Sequence, residues 1–153
     1  MKNLILALCT LVGVQSFASN TLVRYNYNQG FVAHPVHAVL SILDSGEVIL
    51  AKTDIRGART ETSTVAALSA PVVENIKVMI ATLRADAKMS DLDAGRPMCS
   101  DAPYMVVAVI KGGADLEIAK KASCHNFEVQ GSFEAGVLAN LIESLAAVSI
   151  NSL

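Results

Sequence analysis

The chain has 153 residues, 52% of them hydrophobic, a mean hydropathy of +0.45 and a formal net charge of −2. Its basic residues form no run or stripe, which argues against a nucleic-acid partner. The absence of Trp and an aromatic content of 5% argue against a stacking platform for sugars or bases.

The N-terminus reads as a cleaved leader. Lys2 supplies a positive charge, Leu4 to Val14 an apolar run, and Ser16 and Ala18 the small residues that precede a cut between Ala18 and Ser19. The run is too short to span a bilayer of about 30 Å. A lipid-attachment role for Cys9 is disfavoured by the bulky Leu8 before it, and a buried N-terminal helix by the order of charge, apolar run and small residues. Removal of residues 1–18 leaves one domain of 135 residues, 19–153, with eleven basic and fourteen acidic side chains. That length supports a hydrophobic core. No second apolar run is long enough to cross a membrane, so the mature protein is expected not to be integral to one.

Residues 21–30 alternate, with Thr21, Val23, Tyr25 and Tyr27 on one side, and predict a strand ending near Asn28–Gly30. Val36, Ala38, Leu40 and Ile42 mark a second strand. D-S-G-E predicts a hairpin with Gly46 at positive φ, and V-I-L-A-K-T the return strand. After a turn around Gly57, R-T-E-T-S-T-V-A-A-L reads as a partly exposed third strand. Ser69 to about Ala85 predicts a helix capped by Ser69, with Pro71 in its first turn. Its apolar stripe is Val72, Val73, Ile76, Met79, Ile80 and Leu83. The polar stretch 85–98 has no clear period.

The pattern then recurs. Y-M-V-V-A-V-I-K, the Gly112–Gly113 turn and A-D-L-E-I-A-K-K predict a second hairpin, and C-H-N-F-E-V-Q a third strand. Ser132 caps a second helix with the stripe Phe133, Val137, Leu138, Leu141, Leu145 and Val148. The expected architecture is α+β: an antiparallel sheet built from two βββα units, Val36–Ala85 and Tyr104–Ser149, plus an N-terminal strand, with two helices packed on one face and one disulfide.

Export leaves Cys99 and Cys124 as the remaining cysteines, in a setting where disulfides persist. Their bridge closes a loop of 26 residues, both cysteines included. Two isolated cysteines lack the close pairs of a zinc site. Cys124 and His125, adjacent on a strand, would point to opposite faces and make a poor nucleophile and base. His34 and His37 in H-P-V-H would likewise diverge, so a metal site shared with His125 is disfavoured. D-L-D-A-G at Asp91–Gly95 opens like a calcium loop but lacks its later ligands. Gly112–Gly113 leads into a strand and not a helix, so it is no phosphate cradle. The surface acids Asp101, Asp115 and Glu117 come with no nucleophile, base and orienter that can be named together.

No catalytic, metal or cofactor residues are therefore expected. The predicted role is that of a small exported binding or inhibitor-like protein, periplasmic or secreted, acting on an extracellular or envelope protein partner. The exposed features suited to that role are the charged K-G-G-A-D tip and the polar strand Arg59–Thr64. One alternative is a carrier holding a small apolar ligand between sheet and helices, lined by Val72, Ile76, Leu138 or Leu141. A second is a small hydrolase, which requires dispersed acids or His34, His37 and His125 to converge.

Overall fold

The computed structural model describes residues 20–29, 36–54, 59–99 and 102–151. Ala18, Ser19, His34, Gly57 and Asp101 lie outside the described residues. The elements run β1 (Thr21–Asn28), β2 (Val36–Leu43), β3 (Glu47–Asp54), β4 (Arg59–Ala67), α1 (Ala70–Thr82), β5 (Met89–Asp91), β6 (Tyr104–Lys111), β7 (Ala114–Ala122), β8 (His125–Val129) and α2 (Phe133–Asn151).

The strands make one eight-stranded antiparallel sheet in the order β4-β3-β2-β1-β6-β7-β8-β5. β1 sits between the two meanders. Tyr25 lies opposite both Leu40 of β2 and Val107 of β6, and Val23 opposite both Ile42 and Val109. The period-two pattern thereby places Val23, Leu40, Ile42, Val48, Leu50, Val107 and Val109 in one buried cluster. Ile76 and Ile80 of α1 and Leu138 and Ile142 of α2 complete it. Burying each such side chain contributes about 1.5–3 kcal/mol.

The two meander-and-helix halves do not amount to a confirmed repeat, and their topology explains why. β2 and β6 both run antiparallel to β1, hence parallel to each other, yet the meanders step away from β1 in opposite directions. A rotation that superimposes them must exchange the faces of the sheet. Both helices nevertheless share one core and contact each other. I-L-D-S-G-E-V-I-L-A-K and V-I-K-G-G-A-D-L-E-I-A-K each form a hairpin, β2–β3 and β6–β7.

The turns follow their residues closely. Gly46 has φ +89°, and Gly112 and Gly113 have φ +61° and +82°. The β7–β8 turn is the exception: Ser123 and Cys124 take φ +52° and +68° with no glycine present. Cys124 thus forms the hairpin turn instead of opening the third strand. Two consecutive residues at positive φ give the twist a two-residue hairpin requires.

α1 is shorter than expected. Ser69 occupies its N-cap without a side-chain cap bond, and the backbone N–H groups of Val72 and Val73 donate to the Ser69 carbonyl instead. Val73, Ile76, Ile80 and Leu83 are buried, whereas Val72 is 37% exposed. Ser132 does cap α2, its Oγ accepting from the Ala135 N–H at 3.1 Å.

The stripe of α2 is a correction. Its buried face is Ala135, Leu138, Ala139, Ile142, Ala146 and Ser149, while Phe133 is 80% and Val148 73% exposed. Both faces of this helix are apolar, so hydropathy does not choose between them. The alanine-rich face permits closer approach to the sheet. By length and composition Phe133–Ile150 would pass for a membrane span, but its inner residues belong to the core.

Candidate interaction surface

The sheet has two unlike edges. At one end β5 is three residues long and pairs with β8 from Met89↔Val129 to Asp91↔Phe127. A polar clasp and the disulfide tie this end to β8 and to the β7–β8 turn. Cys99 is bonded to Cys124, with their Cα atoms 5.7 Å apart, and the Cys99 N–H donates to the Ser123 carbonyl at 3.0 Å. Asp93 Oδ2 accepts from the Asn126 backbone N–H at 3.0 Å and from Asn126 Nδ2 at 2.8 Å. Asp93 Oδ1 accepts from Arg96 at 2.6 Å. The Asn126 backbone N–H, then its side chain, holds the Asp93 carboxyl below the usual carboxylate range.

His125 is buried inside this clasp. Its Nδ1 faces Asp91 Oδ2 at 2.8 Å and its Nε2 faces the Arg96 carbonyl at 3.2 Å. Both partners are acceptors, so the ring satisfies both when it carries two protons and donates twice. The hydrogen bond to Asp91 raises its pKa above the ordinary histidine value.

The other edge is β4. Its Thr60, Thr62 and Thr64 favour extended backbone, yet Arg59–Thr64 offers no apolar face to bury, and every residue of that stretch is exposed. Among the described residues β4 pairs with β3 alone, in unbroken register from Arg59↔Asp54 to Thr64↔Ile49. An Arg59–Glu61 ion pair at 3.2 Å and a Thr53–Thr60 hydroxyl contact at 2.9 Å tie down side chains without covering the strand. No other described strand pairs with its outward side. Most proteins blunt such an edge with short strands, bulges or covering elements. Here the one irregularity lies at the far end, near Val48 and Ile49.

The remaining sequence candidates are dispersed. His37 on β2 and His125 on β8 are four strand spacings apart, on the order of 19 Å. No group of three or more His, Cys, Asp or Glu suited to a metal occurs among the described residues. Asp91 and Asp93, which open D-L-D-A-G, are committed to the clasp. Asp115 pairs with Arg24 at 3.0 Å, and Glu117 is exposed. The K-G-G-A-D tip is not free either: Lys111 Nζ donates to the Ala81 carbonyl at 2.9 Å and to that of Leu83. It thereby neutralises carbonyls at the end of α1.

Sequence reasoning missed two clefts flanking α2, because their walls come from distant segments. One, of about 360 Å³, is lined by Lys121, Asn126, Glu128, Asn140 and Glu143 among others. The other, of about 260 Å³, includes Tyr25, Tyr27 and Glu143. Burial, reinforced by the Glu143 carboxylate, pushes the Tyr25 phenol up to about 12, so it stays a neutral donor. Neither cleft combines a nucleophile with a base and an orienting group. Val72, Ile76, Leu138 and Leu141 line neither; Ile76 and Leu138 are filled core.

The sequence matches no protein-family model and no curated protein.

Proposed function

We propose that this chain is a small exported, non-enzymatic binding protein of inhibitor type. Its partner is an extracellular or envelope protein that adds an extended segment along β4. The observation that carries the reading is the contrast of edges: three half-buried residues tied to β8 at β5, against nine at β4 of which Arg59–Thr64 and Ala67 are exposed. Strand addition draws its affinity from backbone hydrogen bonds and its specificity from alternate side chains. A sheet already paired and stapled lowers the ordering cost of binding. The disulfide is compatible with the oxidising compartment to which a leader ending at Ala18 would deliver a single domain, Ser19–Leu153. Among the described residues, Ile76 and Leu138 of the carrier reading are filled core, and His37 and His125 of the hydrolase reading stand on well-separated strands.

The test is capture from envelope and culture-fluid extracts, with mass spectrometry of what is retained. Thr62→Pro and Ser63→Pro are compared alongside. By strand alternation one of these removes an outward N–H and the other a bond to β3. The expected result is a partner that is lost with the outward substitution while the melting temperature stays close to wild type. Recovery of no partner, or of one indifferent to that substitution, counts against strand addition at β4.

A further inference from the structure

We infer that the cleft between the first half of α2 and the β7–β8 hairpin binds a small zwitterion of dipeptide size. This site is separate from the β4 edge and does not depend on it. The cleft holds about 360 Å³, at the small end of the roughly 300–1,000 Å³ that small-molecule sites occupy. One wall is the α2 stripe Ser132, Gly136, Asn140 and Glu143, whose positions recur every three or four residues and so share a face. The other wall is β7 and β8, which contribute Lys121, Asn126 and Glu128.

Gly136 shows that this space is kept open. A glycine inside a helix is destabilising relative to alanine. Nothing among the described residues calls for one here: Gly136 has no positive φ, and a Cβ built on it would meet no atom within 4 Å. Gly46 is the contrast, since its Cβ would strike the Leu68 carbonyl oxygen. Gly136 stands on the stripe that lines the cleft, so the Cβ it lacks would project into that space. Its absence enlarges the cleft and serves no packing.

The charged groups set the ligand. Lys121 lies opposite Asn126 in the β7–β8 register, and Glu128 is two residues farther along β8 on the same face. Diagonal neighbours of this kind are about 7–8 Å apart. A dipeptide extended between its terminal charges spans about 7 Å. Its carboxylate can thus meet Lys121 while its ammonium meets Glu128. The Lys121 ammonium has three donors, so it can face Glu143 at 3.5 Å and still serve a ligand. That ion pair is partly exposed on both sides, which makes it weak enough to yield. Between the two ends, Asn126 and Asn140 offer amides to a peptide group. The Asn126 amide is already oriented, because its Nδ2 donates to Asp93 at 2.8 Å, and a preset group costs less to order on binding. An apolar ligand would leave these polar groups stranded.

Heteronuclear NMR titration with glycylglycine tests the site, beside N-acetylglycylglycine, which lacks the ammonium, and glycylglycinamide, which lacks the carboxylate. Glycylglycine is expected to shift the backbone amides of Asn126, Gly136 and Asn140 saturably, and each blocked probe to bind at least about 10-fold more weakly. Gly136→Leu fills the cleft and should abolish the shifts at Asn126 and Asn140 with circular dichroism unchanged. Lys121→Gln, at an exposed side chain, should erase the preference for glycylglycine over glycylglycinamide, and it keeps the test open if the leucine variant does not fold. Gly136→Ala should raise the melting temperature by about 2–4 °C. No saturable shift up to about 20 mM overturns the site, as does binding that ignores Gly136→Leu. Glycylglycinamide binding as tightly as glycylglycine makes the cleft a plain cation site and overturns the zwitterion. A melting temperature lowered by Gly136→Ala shows the glycine to be structural and overturns the argument for a space kept open.

Discussion

Replacing both cysteines, Cys99→Ser with Cys124→Ser, tests how far the bridge supports the sheet. Several native contacts survive the change: the Cys99 N–H still reaches the Ser123 carbonyl, and Asp91 and Asp93 still hold β8. The loss therefore falls mainly on the unfolded chain, which gains freedom over a 26-residue loop. Loop-closure entropy for that length gives about 3.5 kcal/mol. Against an unfolding entropy of about 2.1 cal/mol/K per residue, this lowers the melting temperature by about 12 °C. Urea unfolding and a thermal scan of the double variant, with reduced wild type as control, read both quantities. A loss below about 1 kcal/mol, with far-UV circular dichroism unchanged, would refute an entropic origin for the support.

The clasp and the first hairpin make further tests. The pKa of His125 is raised on folding, so its stabilising contribution is complete below the unfolded value of about 6.5 and is lost as pH climbs through the higher folded value. The stability gap between wild type and His125→Gln, measured from pH 5 to 9, should shrink as pH rises; a gap that stays level shows that the ring is not doubly protonated in the fold. Gly46→Ala places a Cβ 2.6 Å from the Leu68 carbonyl oxygen at φ +89°. It should cost about 2–3 kcal/mol in urea unfolding, and a change under 1 kcal/mol would mean that the β2–β3 turn and the α1 entry separate without penalty.

Where one face is apolar and the other polar, the sequence was readable. Ala38, Leu40 and Ile42 on β2 and Val73, Ile76 and Ile80 on α1 are buried as their periods require. Where local chemistry is silent, it was not. Ser123 and Cys124 carry none of the residues that signal a left-handed turn, and the disulfide partner and His125 clasp that hold them are remote in sequence. β5 has three residues and no alternation to detect; its pairing with β8 is a tertiary decision. On α2 both faces are apolar, and the choice rests on how closely alanines let the helix approach. Arg59–Thr64 was legible as an exposed polar strand. That it forms an open edge depends on the order of all eight strands.

The place of β1 bears on how the molecule is made. It is the seam of the sheet, since β2 and β6 meet across it and not directly. In a chain emerging from its N-terminus, β1 can zip onto β2 almost at once, but its other side must wait for β6, which begins at Tyr104. Throughout that interval Val23, Tyr25 and Tyr27 present an unsealed border, and such long-range closure is slow and prone to wrong pairing. Conditions that retard delivery of the second half should thus yield aggregates joined through this first strand, even though the finished molecule hides it at its centre.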